Sequence, residues 1–76
     1  MNGFGSNLRK LRTARNLSQY TLAQELGVAQ THIAGLEVGR VKPSWQFAQK
    51  VAAFFGVTLD DLATSDPTPS TALELA

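Results

Sequence analysis

Residues 18–39 read SQYTLAQELGVAQTHIAGLEVG, and this stretch decides the fold. It divides into two short helices at Gly27. The first is predicted over about Gln19 to Leu26. Ser18 is its N-cap, because a serine hydroxyl accepts a hydrogen bond from an orphan N–H at a helix start. The second is predicted over about Gln30 to Glu37, with Gly39 just past its end, where a left-handed residue is least strained. Leu22, Ala23 and Leu26 share one face of the first helix, and Ile33 and Leu36 share one face of the second. Ala23 is small enough to let the axes cross closely, and Val28 can plug the corner. The pattern is a helix-turn-helix, a motif whose second helix can enter the DNA major groove.

The bulk of the sequence sets the bounds. Its 76 residues make one domain with a small core. There is no cysteine, so neither a disulfide nor a thiolate metal site is available, which suits a reducing compartment. No apolar run approaches the roughly 18 residues of a membrane span, and the first residues lack signal-peptide character. Asn16-Leu17-Ser18 is formally a glycosylation sequon, but a helix end followed by a cap explains it. The net charge is only +1, yet all seven basic residues lie within 7–50, opposed there only by Glu25 and Glu37. Asp60, Asp61, Asp66 and Glu74 fall in the last quarter. A basic front and an acidic end is a footprint that a phosphate backbone can use, and ordinary surface charge is the plain alternative.

Around the central stretch, the first helix of the chain is predicted from about Asn7 to Arg15. Leu8 and Leu11 form its apolar stripe, and Asn16 is a left-handed cap. Met1 to Ser6, with two glycines, reads as a flexible arm from which Phe4 can tuck onto the domain. Pro43-Ser44-Trp45 opens a fourth helix, in which Phe47, Val51 and Phe55 are core positions and Trp45 covers the core edge. Gly56-Val57 ends it. Thr58 then caps a fifth helix, with Asp61 completing a short capping box. The domain therefore spans 7–64, and residues 65–76 form a Ser/Thr/Pro-rich tail.

The stretch and its flanks resemble the Cro/phage-repressor (Xre) family of helix-turn-helix regulators. The residues that carry the likeness are Ser18-Gln19, Leu22-Ala23, Gly27-Val28, Ile33, Leu36-Glu37 and Gly39. Leu8, Leu11-Arg12 and Leu17 precede them. Pro43-Ser44-Trp45, Val51-Ala52, Phe55-Gly56-Val57 and Leu59 to Leu62 follow, so the likeness covers about Asn7 to Ala63. It implies an all-α, five-helix, lambda-repressor-like domain that binds double-stranded DNA. It also implies a pair between Arg12 and Glu37 that holds the first helix against the third. Gln19 is implied to contact phosphate and to brace the first base-reading residue. The loop Arg40-Val41-Lys42 is implied to follow the DNA backbone, and the corner of Phe54, Thr58 and Leu59 to form a dimer contact. Two positions depart from the family: Ala29 stands where Ser or Thr usually caps the third helix, and Val38 where Asn often meets phosphate.

With Ile33 and Leu36 turned inward, the outward positions are Gln30, Thr31, Ala34 and Gly35, with His32 to one side. Gln30, Thr31, His32 and Gly35 are therefore the candidate base-reading set. Glutamine pairs bidentately with adenine, and threonine can hydrogen-bond or pack on a thymine methyl. Ser18, Gln19, Arg40 and Lys42 are the candidate phosphate contacts. One histidine, no cysteine and no Gly-rich phosphate loop leave no visible catalytic or metal arrangement. No cofactor, small-molecule ligand or membrane is implied. The expected function is a sequence-specific, DNA-binding transcriptional regulator, of the repressor kind. It would act as a homodimer on a palindromic site, in the cytoplasm at a prokaryotic or phage nucleoid. The alternative is an antitoxin-type module that autoregulates its gene while its tail binds a protein partner.

Overall fold

Two serines start two helices in the same way. Ser18 and Ser44 both have extended backbones (φ −76°, ψ 162° and φ −75°, ψ 161°). Their hydroxyls accept the backbone N–H of Thr21 at 2.9 Å and of Phe47 at 3.1 Å, each satisfying one orphan donor. A computed structural model describes residues 3–63, and every regular element among them is helical. The order is α1 (Phe4–Ala14), α2 (Gln19–Leu26), α3 (Gln30–Glu37), α4 (Trp45–Phe55) and α5 (Leu59–Ala63). The fold is the all-α, five-helix arrangement expected.

Helix ends follow local chemistry. Gly27 and Gly56 close α2 and α4 at φ 74° and 69°. Asn16 takes φ 58° after α1, the one non-glycine residue with positive φ among those described. α3 starts at Ala29 with no side-chain cap. At α5 the reciprocal cap forms: Thr58 N–H donates to Asp61 Oδ2 and Asp61 N–H to Thr58 Oγ1, both at 3.1 Å.

α2 packs on α3, α1 lies against α3 and α5, and α4 against α5. The core is built from Phe4, Leu8, Leu22, Leu26, Ile33, Leu36, Val51, Phe55 and Leu62, with Ala23, Ala48 and Ala52 where elements approach. Each large apolar side chain so buried contributes about 1.5–3 kcal/mol.

Three expectations are corrected. α1 begins at Phe4, not near Asn7, so Phe4 to Ser6 are helical rather than part of an arm, while Phe4 does tuck onto the domain, 2% exposed. Gly5 explains why this end docks. A Cβ there would stand 2.1 Å from Leu36 O and 2.8 Å from Glu37 O, so only glycine lets the first turn of α1 rest on the carbonyls ending α3. Trp45, expected over the core edge, is 62% exposed. As the first residue of α4 its side chain leans off the helix start, beyond the first core position at Ala48. Phe47, expected in the core, is half-buried at its margin. Met1, Asn2 and the expected tail at 65–76 lie outside the described residues.

Candidate nucleic-acid interface

The turn at Gly27 sets α3 across α2. The Val28 N–H returns to Ala23 O at 2.9 Å, closing the corner. Ile33 and Leu36 are buried with Leu22, Ala23 and Leu26, so the opposite edge of α3 faces outward. Gln30 and Thr31 are exposed there, and Ala34 is half-buried.

A line of polar side chains runs from this edge into the protein. Gln30 Nε2 donates to Gln19 Oε1 at 2.9 Å, and Gln19 Nε2 donates to Glu37 Oε1 at 3.0 Å. Arg12 meets Glu37 with two N–H groups, Nε to Oε2 at 2.6 Å and Nη2 to Oε1 at 3.1 Å. A third Arg12 donor, Nη1, reaches Leu17 O at 2.7 Å. The Arg12 and Glu37 side chains are 12% and 3% exposed, so the pair is a desolvated, two-pronged clamp between α1 and α3. Removing one partner of such a pair costs about 3–5 kcal/mol, because the other charge is left buried alone.

Two of the expected base-reading positions lie elsewhere. Gly35 is buried, and a Cβ there would meet Val41 Cγ2 at 2.7 Å. The N–H groups of Arg40 and Val41 both donate to Gly35 O, at 2.9 and 3.1 Å. Gly35 is therefore where the loop after α3 folds back onto the helix, and it presents nothing to a groove. His32, one helical turn away on that same side, is half-buried against Phe47. The two rings stand edge to face, 5.3 Å apart. The outward edge of α3 narrows to Gln30 and Thr31.

The candidate phosphate contacts fall on two segments, the start of α2 and the loop after α3. Ser18 is occupied as a cap and also donates to Thr21 Oγ1 at 2.9 Å. Gln19 is half-buried, with its oxygen and one N–H committed to the chain above. Arg40 and Lys42 are exposed on the loop after α3, and Val38 beside them is 70% exposed.

A family model described as helix-turn-helix matches residues 8–62. The chain belongs to this family, in its Xre/Cro type. Its relatives include an HTH-type transcriptional activator, BcrR, of Enterococcus faecalis, 36% identical over 63 residues. That match covers 83% of this chain but 31% of BcrR, so the chain spans about a third of that relative. An HTH-type transcriptional regulator of Methanocaldococcus jannaschii is 40% identical over 57 residues, covering 75% of this chain and 86% of its own length. Among solved structures, the restriction-modification controller protein C.AhdI of Aeromonas hydrophila superimposes with a TM-score of 0.72 at 37% identity. That superposition covers 79% of this chain and 91% of C.AhdI.

Phe54, Thr58 and Leu59 flank Gly56 where the chain passes from α4 to α5. Phe54 and Leu59 are half-buried against the core, and Thr58 is exposed. Phe54 also stands edge to face with Phe55, 5.0 Å between centroids.

Two residues that tie this helix-turn-helix domain together were not singled out by the sequence. Asn7 is buried and donates to Asp61 O at 3.1 Å and Leu62 O at 2.8 Å, holding α5 to α1. Arg15 reaches the end of α4. Both contacts link positions far apart in the chain, so no local pattern marks them. Among the described residues no group of three His, Cys, Asp or Glu is placed to hold a metal, and no helix is long and apolar enough to cross a membrane.

Proposed function

We propose that this chain is a sequence-specific, double-stranded DNA-binding transcription regulator that lays α3 in the major groove. The observation that supports this most directly is the exposed edge of α3. Gln30 and Thr31 point outward there, with Gln30 held by Gln19 and backed by the buried Arg12–Glu37 pair. Gln30 reads a base edge and Thr31 its neighbour. Arg40 and Lys42 contact the phosphate backbone alongside, with N–H groups at the start of α2. A domain this small covers little DNA, so selectivity comes from two copies. We assign the Phe54, Thr58 and Leu59 corner to the contact between them. A two-fold pair would set its reading helices about 34 Å apart on a palindromic operator. Occupying a promoter in this way represses or activates according to where the operator lies.

Selection of bound sequences from random duplex DNA tests the reading. The wild-type chain should return a palindromic site. Gln30→Ala should relax one base position in each half-site, while Lys42→Ala should weaken all sites alike. Failure of the wild-type chain to retain any duplex at low salt would overturn it.

A further inference from the structure

Glu37 lies too deep to meet a duplex, yet it ends a hydrogen-bond chain that surfaces on the reading edge. A carboxylate offers acceptors only, whereas each glutamine amide has a donor end and an acceptor end that can exchange places by rotation. Both oxygens of Glu37 already take N–H groups from Arg12. The Gln19 amide must therefore turn its NH2 end toward Glu37, and its Nε2 does donate to Oε1 at 3.0 Å. That leaves Gln19 Oε1 for Gln30, which must answer with an N–H, and Gln30 Nε2 lies 2.9 Å away. The order of donors and acceptors is imposed from the buried end. On the exposed side, Gln30 keeps its Oε1 and one N–H.

We propose that Glu37 is a positioning residue that makes the protein select adenine over guanine at the base pair Gln30 reads. The proposal rests on the DNA-reading role of Gln30 given above. Adenine presents a donor at N6 and an acceptor at N7, matching the free Oε1 and N–H of Gln30. Guanine presents two acceptors, O6 and N7, and would require two N–H donors. One of the two on Gln30 is committed to Gln19, so guanine would set its O6 against Gln30 Oε1, acceptor against acceptor. A Gln30 amide with no imposed direction could turn to suit either base.

Glu37→Gln tests this, because an amide at position 37 can offer either end to Gln19 and no longer dictates a direction. Binding to operator duplexes carrying adenine or guanine at that position should show a wild-type preference of about tenfold or more. In E37Q the preference, read as the ratio of the folded variant's affinities for the two duplexes, should fall to within about threefold. A second variant controls for loss of folding. Arg12→Met combined with Glu37→Met replaces the buried pair with apolar side chains of similar length, a change such sites often tolerate. It also lacks the carboxylate and should lose the same preference. If either folded variant keeps the wild-type adenine preference, the inference is overturned while the DNA-reading role stands. If the wild-type chain selects no site, that role falls and the inference with it. If neither variant folds, the side-chain amide protons of wild-type Gln30 decide. One proton distinctly slower to exchange than the other supports an imposed direction, and two that exchange alike overturn it.

Discussion

Arg15, just past α1, clasps Phe55 at the end of α4. Its Nη2 donates to Phe55 O at 2.8 Å, its Nη1 to Phe54 O at 3.3 Å, and its guanidinium carbon lies 4.9 Å from the centre of the Phe55 ring. A helix end carries partial negative charge and orphan carbonyls, so a guanidinium there is favourable twice over. Arg15→Met should lower stability by about 1–2 kcal/mol, since a charged donor to carbonyls is lost while the stem is kept. Arg15→Lys should recover part of it. Urea denaturation checks both, and an unmoved midpoint for Arg15→Met would show that the clasp contributes nothing.

Gly35→Ala should disturb the loop rather than base reading. Alanine favours a helix interior over glycine by about 1 kcal/mol. Its Cβ, however, would meet the branched, stiff Val41 side chain at 2.7 Å. The loop carrying Arg40 and Lys42 must move, and overpacking of this kind costs about 1–3 kcal/mol. We expect a net loss of stability and weaker binding to every duplex, with unchanged base preference. A variant more stable than wild type would contradict this.

Ala29→Ser should stabilise the protein. The backbone at Ala29 (φ −73°, ψ 149°) is already close to that of Ser18 and Ser44, so a serine there needs no rearrangement to cap α3. A gain of about 1 kcal/mol is expected. For a domain of this size that raises the melting temperature by about 4–8 °C, which calorimetry would resolve.

Arg40→Ala and Lys42→Ala should each flatten the dependence of DNA affinity on salt. A lost phosphate contact lowers the log–log slope by about 0.9, and the double variant should lose about twice that. Thr31→Ala, by contrast, should leave the slope alone and alter base preference. Slopes equal to wild type in both loop variants would remove this loop from the interface.

The boundaries of α2 and α3 were legible because their signals are local: Ser18 caps, Gly27 turns left-handed, and the apolar spacing does the rest. The start of α1 was not. Gly3 and Gly5 look like breakers in sequence, and only contact with Leu36 and Glu37 shows that Gly5 is required inside a helix. Gly35 was misplaced for a related reason. A helical wheel built from Ile33 and Leu36 describes what α2 covers, whereas the returning loop at Val41 decides what Gly35 faces. No spacing rule joins position 12 to 37. The family likeness supplied that pair, while the link from Glu37 through Gln19 to Gln30 emerged only from the coordinates.

The contact between Gly5 and the last carbonyls of α3 anchors that helix by main chain on one side, while Ile33 and Leu36 anchor it by side chain on another. None of these attachments uses Thr31, which is exposed. That position of α3 thus behaves as an interchangeable tip: a library randomised there could be screened for new target sites without reseating the helix.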